Sequence, residues 1–279
     1  MMDVLYQLIE QCLPYSWTQY TFMKNAFIAI ILITPIFGIL STMVVNNKMA
    51  FFSDSIGHSA LTGVGLGVLL GLNSPVWSMI LFSVIFSVFI VIVKNTNTIS
   101  TDTIISVFSS TTMAVGLVII TKAGFNKYST YLIGDLLSIT PAEIGILAIL
   151  LVVIILIWFL MFNKLLVVSV NPSLAGSRGM NVFMIEMIFT IVIAVVVTVS
   201  IRWIGLLIIN SLLILPAAAA RNISRDIRQY HVFSLLISFV SGVGGLILSY
   251  YWGSTTGATI TLLCAVFYFI TFAMHNRFA

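Results

Sequence analysis

Residues 232–274 read VFSLLISFVSGVGGLILSYYWGSTTGATITLLCAVFYFITFAM, a run from Val232 to Met274 without one charged side chain. About 20 apolar residues suffice to cross a hydrocarbon core of roughly 30 Å. The run is therefore too long for one crossing, and Tyr251-Trp252-Gly253-Ser254 reads as a turn between two membrane helices. The rest of the chain agrees. Of its 279 residues, 60% are hydrophobic and 7% are charged, whereas a soluble domain carries about a quarter charged residues. Nine crossings would use roughly 180 residues and leave about 100 for loops and ends. No loop is then large enough to form an enzyme head, a receptor head or a nucleotide-binding domain. The fold class is all-α, a polytopic membrane bundle of eight or nine helices, and its function lies within the bilayer or is shared with partners.

Crossings are expected at about 25–46, 50–72, 75–93, 103–121, 142–162, 182–200, 203–220, 230–250 and 256–274. The segments at 50–72 and 203–220 are also compatible with a half-helix or bent element. Residues 1–24 read as an N-terminal interfacial segment, with Tyr6, Tyr15, Trp17 and Tyr20 supplying rings suited to headgroup depth. Residues 25–279 form a single transmembrane domain. Residues 131–137 read as a short helix or re-entrant piece. The net charge of +4 is no nucleic-acid signal, because the basic residues sit singly in short loops. With the N-terminus outside, Lys48, Lys94, Lys164, Arg178, Arg221, Arg225, Arg228 and Arg277 face the cytoplasm, and Lys24, Lys122, Lys127 and Arg202 face outward, as the positive-inside rule favours. Cys12 and Cys264 belong to no metal-type or redox spacing and read as small apolar residues.

Ionisable side chains inside crossings are costly unless paired or hydrated, which makes the few present informative. Asp54 and His58 are four apart in Ser53-Asp54-Ser55-Ile56-Gly57-His58-Ser59 and project from one helix face about a turn apart. A carboxylate oxygen with an imidazole nitrogen suits a divalent cation such as zinc or manganese. The competing reading is an interface pair at a helix start, with Asp54 capping or snorkelling. Two protein ligands make a weak site, which suits passage, because conduction needs sites that also release. Gly63, Gly65, Gly67 and Gly71 form a small-residue face for close helix packing. Glu186 reads as snorkelling to the cytoplasmic interface.

Between two crossings lies Val168-Ser169-Val170-Asn171-Pro172-Ser173-Leu174-Ala175-Gly176-Ser177-Arg178-Gly179. Asn171 reads as an N-cap, Pro172 as the first helical residue and Gly179 as the stop of a short helix outside the bilayer. Such a helix serves either as a connector or as a piece that docks into a partner's groove.

In this order, the pieces resemble the integral membrane permease of ATP-binding-cassette importers for zinc and manganese. The resemblance is carried by Met49–Leu61, Asp102-Thr103-Ile104-Ile105, Tyr131-Leu132-Ile133-Gly134-Asp135-Leu136-Leu137, Asn171–Gly179, Gly205–Arg221 and Gly257-Ala258-Thr259-Ile260. It implies two permease chains, two cytoplasmic ATPase subunits and an extracytoplasmic metal-binding lipoprotein or periplasmic protein. The absence of a G-x-x-x-x-G-K-[ST] phosphate loop agrees with ATP hydrolysis in a separate subunit, so the chain itself is not expected to be an enzyme. By the family pattern Asp54 and His58 match the metal pathway. Asn171, Pro172, Leu174, Ala175, Arg178 and Gly179 belong to the matching coupling helix that engages the ATPase. Where some zinc-type members carry a histidine, this chain has Ser109-Ser110-Thr111. The Tyr-Leu-x-Gly-Asp-Leu-Leu stretch resembles zinc-type members, whereas manganese-type members tend to have Asn near Asp135. The cargo expected is zinc, with manganese or iron the alternative. No permanently bound cofactor is expected, and the partners are those subunits and membrane lipid. An ion-coupled secondary carrier is the rival from another class. It is disfavoured because no internal repeat of interrupted helices is seen. An intramembrane protease would need H-E-x-x-H, G-x-S-x-G or G-x-G-D, none of which occurs.

Overall fold

The computed structural model describes residues 2–12, 15–72, 75–96, 100–123 and 134–278. Among these, eleven α-helices occur in order. They are α1 (Met2–Cys12), α2 (Thr21–Asn46), α3 (Ala50–Leu69), α4 (Val76–Thr96), α5 (Thr101–Ala123), α6 (Pro141–Val170), α7 (Pro172–Ser177), α8 (Val182–Ile204), α9 (Leu206–Ile223), α10 (Ile227–Trp252) and α11 (Thr256–Phe278). Two 3₁₀ turns, Ser16–Gln19 and Leu136–Ser138, complete the described helical structure. No strand occurs among the described residues.

Seven helices are long and apolar enough to cross a membrane: α2, α4, α5, α6, α8, α10 and α11. The chain is a multi-pass membrane protein. The other two anticipated crossings are α3, which is rich in polar residues, and α9, of 18 residues. The turn expected at residues 251–254 is present. Gly253 closes α10 in the left-handed region, with φ 61° and ψ 30°, where a residue without Cβ is favoured.

Local chemistry sets the ends of α6. Thr140 and Glu143 form a capping box, the Glu143 Oε2 accepting from Thr140 N at 2.9 Å and Thr140 Oγ1 from Glu143 N at 3.4 Å. The helix then runs 30 residues, about 45 Å at 1.5 Å per residue, past the crossing expected at 142–162. Asn163 and Lys164 do not stop it. It ends where Pro172 turns Asn171 to extended backbone.

The chain divides into two compact units. The first comprises residues 1–42, 135–159 and 211–279. Here hydroxyls join α2 to α10: Ser41 and Ser234 share a hydrogen bond of 2.8 Å, and Ser238 donates to the Thr34 carbonyl at 2.9 Å. Helices α10 and α11 meet where Gly245 faces Ile260, and Thr259 donates to the Gly245 carbonyl at 2.9 Å. Hydrogen bonds of this kind inside membranes contribute about 0.6 kcal/mol each, so close packing of small residues supplies most of the cohesion.

The N-terminal segment is tied to this first unit. Lys24, buried, pairs with Glu10, and Tyr6 donates to Asn25. Asn25 in turn donates to the Ile139 carbonyl at 3.2 Å. Tyr15 and Tyr20 are exposed. Trp17 departs from the expectation of a headgroup ring: it is 1% exposed and packs on Phe27, ring centroids 5.3 Å apart. Its indole is large enough to be worth more as core than as an interfacial anchor.

The second unit comprises residues 43–134 and 160–210, with α3 packed against α4, α5 and α8. The glycine face of α3 explains the close approach. A Cβ on Gly63 would come within 2.6 Å of Met79 Cα, and one on Gly65 within 3.0 Å of Ile119. Gly67 faces Ser78 and Pro75. Gly71 is the exception to the anticipated face. It lies beyond the helix with φ 68°, nothing approaches it, and it serves to end α3. Glu186 does not snorkel alone but pairs with Lys94 of α4 at 3.1 Å, which offsets the cost of holding either charge near the bilayer.

Candidate functional site

From Phe52 to Gly65 every residue of α3 is buried except Asp54 and His58. Their i,i+4 spacing puts both on one face, and that face alone opens onto accessible space. His58 Nε2 lies 3.5 Å from Asp54 Oδ2, the side chains being 21% and 43% exposed. The pair is thus neither sealed in the protein nor spread on its surface.

A third residue joins them from a distant part of the chain. Asn210, on the first turns of α9, donates from Nδ2 to Asp54 Oδ1 at 2.5 Å. Both carboxylate oxygens of Asp54 are thereby engaged, one by an amide and one by an imidazole. The remaining acceptor of Asn210, Oδ1, and the Nδ1 of His58 are buried without a hydrogen-bond partner. Unpartnered polar atoms at one locus mark a place where a further ligand or water would be stabilised. Asn210 is the site residue that sequence reasoning missed. The only local signal for it is a single amide, followed by Ser211, in the otherwise apolar run Leu206–Leu215.

The donors gathered here are one carboxylate, one imidazole and one amide, a mixed oxygen and nitrogen set compatible with zinc or manganese. Among the described residues there is no cluster of three or more His, Cys, Asp or Glu able to hold a metal ion. The site is therefore sparse, as suits transient occupancy rather than storage. Ser109, Ser110 and Thr111 lie on α5 and add no nitrogen donor. The Asp102 side chain and residues Tyr131, Leu132 and Ile133 lie outside the described residues. Gly134 and Asp135 precede the 3₁₀ turn as irregular backbone.

The six residues anticipated for docking lie together at α7. Asn171 caps it, its Oδ1 accepting from Leu174 N at 3.0 Å, and Pro172 is the first helical residue. Gly179, at φ 75°, ends the segment, which Arg178 precedes. Within α7, Leu174 is exposed and Ala175 is fully buried. Leu174 and Arg178 are exposed, whereas Ala175 seats the helix on its own unit.

Several long apolar membrane helices, a partly accessible ionisable pair on a mostly buried helix and a short capped helix between two crossings are features suited to a membrane transporter. Residues 19–275 match the ABC 3 transport family, and the chain belongs to it. It is 32% identical over 250 residues to the high-affinity zinc uptake system membrane protein ZnuB of Buchnera aphidicola subsp. Baizongia pistaciae, covering 88% of this chain and 95% of that protein. It is 28% identical to the manganese import system permease protein ScaB of Streptococcus parasanguinis, covering 91% of each. The structure of PsaBC from Streptococcus pneumoniae in complex with Fab superposes with a TM-score of 0.81 at 25% identity, over 98% of this chain and 95% of that one.

Proposed function

We propose that the chain is the membrane permease of an ATP-driven importer of divalent metal ions, with zinc as its cargo. The observation that carries the reading is the partly open Asp54 and His58 pair on an otherwise buried stretch of helix. In a low-dielectric path the carboxylate compensates the charge of the ion, and the imidazole supplies a nitrogen ligand in its neutral form. Family membership supports ATP as the energy source. Relatives named for zinc and for manganese stand at comparable identity, so zinc rests on the zinc-type Tyr131–Leu137 stretch.

In this reading a second copy of the chain completes the pathway, and a separate ATPase hydrolyses ATP. An extracytoplasmic metal-binding protein delivers the ion. Closure of the ATPase pair moves α7 through Leu174, and the permease pair alternates between outward and inward openings. Asn171, Pro172 and Gly179 hold α7 in shape for that contact, and Arg178 offers a charge to it. The test is uptake of radioactive zinc and of manganese in cells lacking their own importers, with and without the ATPase. Zinc uptake that requires the ATPase is expected. Uptake of manganese alone would reassign the cargo, and uptake without the ATPase would favour a secondary carrier.

A further inference from the structure

Only Gly205 separates α8 from α9. Its N–H still bonds to the Ile201 carbonyl at 2.9 Å, closing α8, while its own carbonyl accepts from Ile209 N at 3.3 Å, opening α9. One residue thus ends one helix and begins the next. Its backbone, φ 79° and ψ 160°, lies in a region open essentially to glycine alone. Gly134, also at positive φ, packs so tightly here that a Cβ on it would overlap backbone atoms of Ile204 and Gly205.

The first turns of α9, just past this break, are in register with the site. Leu206 and Asn210 are four apart on α9, as Asp54 and His58 are on α3. Leu206 fills the space over Gly57, where an added Cβ would overlap its δ-methyl and lie 3.2 Å from its Cγ. One turn later, Asn210 reaches Asp54. The start of α9 is therefore fastened to α3 at two points, an apolar knob on a glycine next to His58 and a hydrogen bond to the carboxylate.

We infer that Gly205 is a pivot for the first turn of α9, and that Leu206 seated on Gly57 is the latch that keeps Asn210 on Asp54. Seated, the latch holds the Asp54 carboxylate in protein hydrogen bonding and away from the ion. Lifted, it frees that carboxylate and turns the unpartnered Asn210 Oδ1 toward the opening. Leu206 and Gly205 are positioning residues that touch no cargo. The inference rests on the metal-site reading of Asp54 and His58, but its geometry can be tested separately.

The experiment uses the full transporter in membranes, with Cys12→Ser and Cys264→Ser as background and Gly57→Cys with Leu206→Cys as the pair. The distance from the Gly57 Cβ position to Leu206 Cγ places the two β-carbons near the span of a disulfide. Oxidation is expected to cross-link the chain, to reduce zinc uptake at least tenfold, and to be reversed by reductant to within twofold of the unoxidised pair. Failure to cross-link would overturn the register, and undiminished uptake by cross-linked protein would overturn the moving latch. A second arm guards against misfolding. Gly57→Ala, whose methyl would displace Leu206, and Leu206→Ala, which removes the knob, should each leave the latch unseated and lower the KM for zinc about tenfold, the two agreeing within threefold; a KM raised or unchanged in either variant would refute the latch. If Asp54→Ala leaves uptake unchanged, the metal-site reading fails, while cross-linking still reports on the seat of Leu206 against Gly57.

Discussion

Helices α3 and α6 show opposite solutions to life in a bilayer. The more polar α3 is buried from Phe52 to Gly65 but for two side chains, and both of these are ionisable. The strongly apolar α6 leaves Ile146, Ile149, Val152, Leu156, Phe159 and Leu160 exposed. In water this would be inverted. In lipid the apolar helix can face the solvent, whereas polar groups must find partners within the protein. Exposure therefore carries different chemistry on the two helices: on α6 it presents apolar side chains suited to lipid, and on α3 it presents an ionisable pair.

Substitutions on the two kinds of surface put that contrast to the test. The largest effect is expected from Asp54→Ala or His58→Ala on α3. Each should lower metal uptake by about a hundredfold or more, since even indirect partners of a metal site contribute about 10–100-fold. Immunoblotting of membranes should show normal insertion, and normal uptake would remove α3 from the pathway. Next comes Leu174→Asp on α7, which places a charge at an apolar docking contact. It should reduce uptake about tenfold, about 1.4 kcal/mol, while leaving substrate-independent ATPase turnover, in keeping with the cost of more than about 1 kcal/mol that marks the interface residues that matter. Co-purification and ATPase assays check it, and unchanged coupling would make α7 a mere connector.

Smaller effects test the packing side. Asn210→Ala removes the amide oxygen that the opened site offers the ion and should raise the KM for uptake about tenfold, with the maximal rate less affected. Gly63→Ala inserts a methyl against the Met79 backbone and should cost about 1–3 kcal/mol, read as a lower thermal midpoint of the purified complex. Smallest of all, Leu156→Ile or Phe159→Leu on α6 exchanges one lipid-facing apolar group for another. Uptake within twofold of the parent is expected, and a large loss would show that this face is covered by protein rather than lipid.

Much of this organisation is legible in the linear chain. The nine anticipated crossings each correspond to a helix, because long apolar runs and breaks such as Gly253 act locally. The cap of α7 is legible for the same reason: Asn171, Pro172 and Gly179 each act within a turn or two of themselves. Legibility fails where the partner is remote. Trp17 resembles an interfacial ring until Phe27 is seen against it. Gly71 matches the spacing of Gly63 and Gly67 but has no neighbour to admit. Glu186 looks solitary until α4 brings Lys94 to it.

The linear chain alone dictates that the protein lives in a membrane, roughly where it crosses, and that Asp54 and His58 share a helix face. Those are consequences of apolar content and of the 3.6-residue period, which need no information beyond neighbouring residues. It takes the packed helices to show that this face is the open one, that Asn210 belongs to it, and that Leu206 on Gly57 sets the register. The hydrogen bond joining Asn210 to Asp54, 156 residues apart in the chain, depends on which helices pack together, and no local pattern encodes that choice.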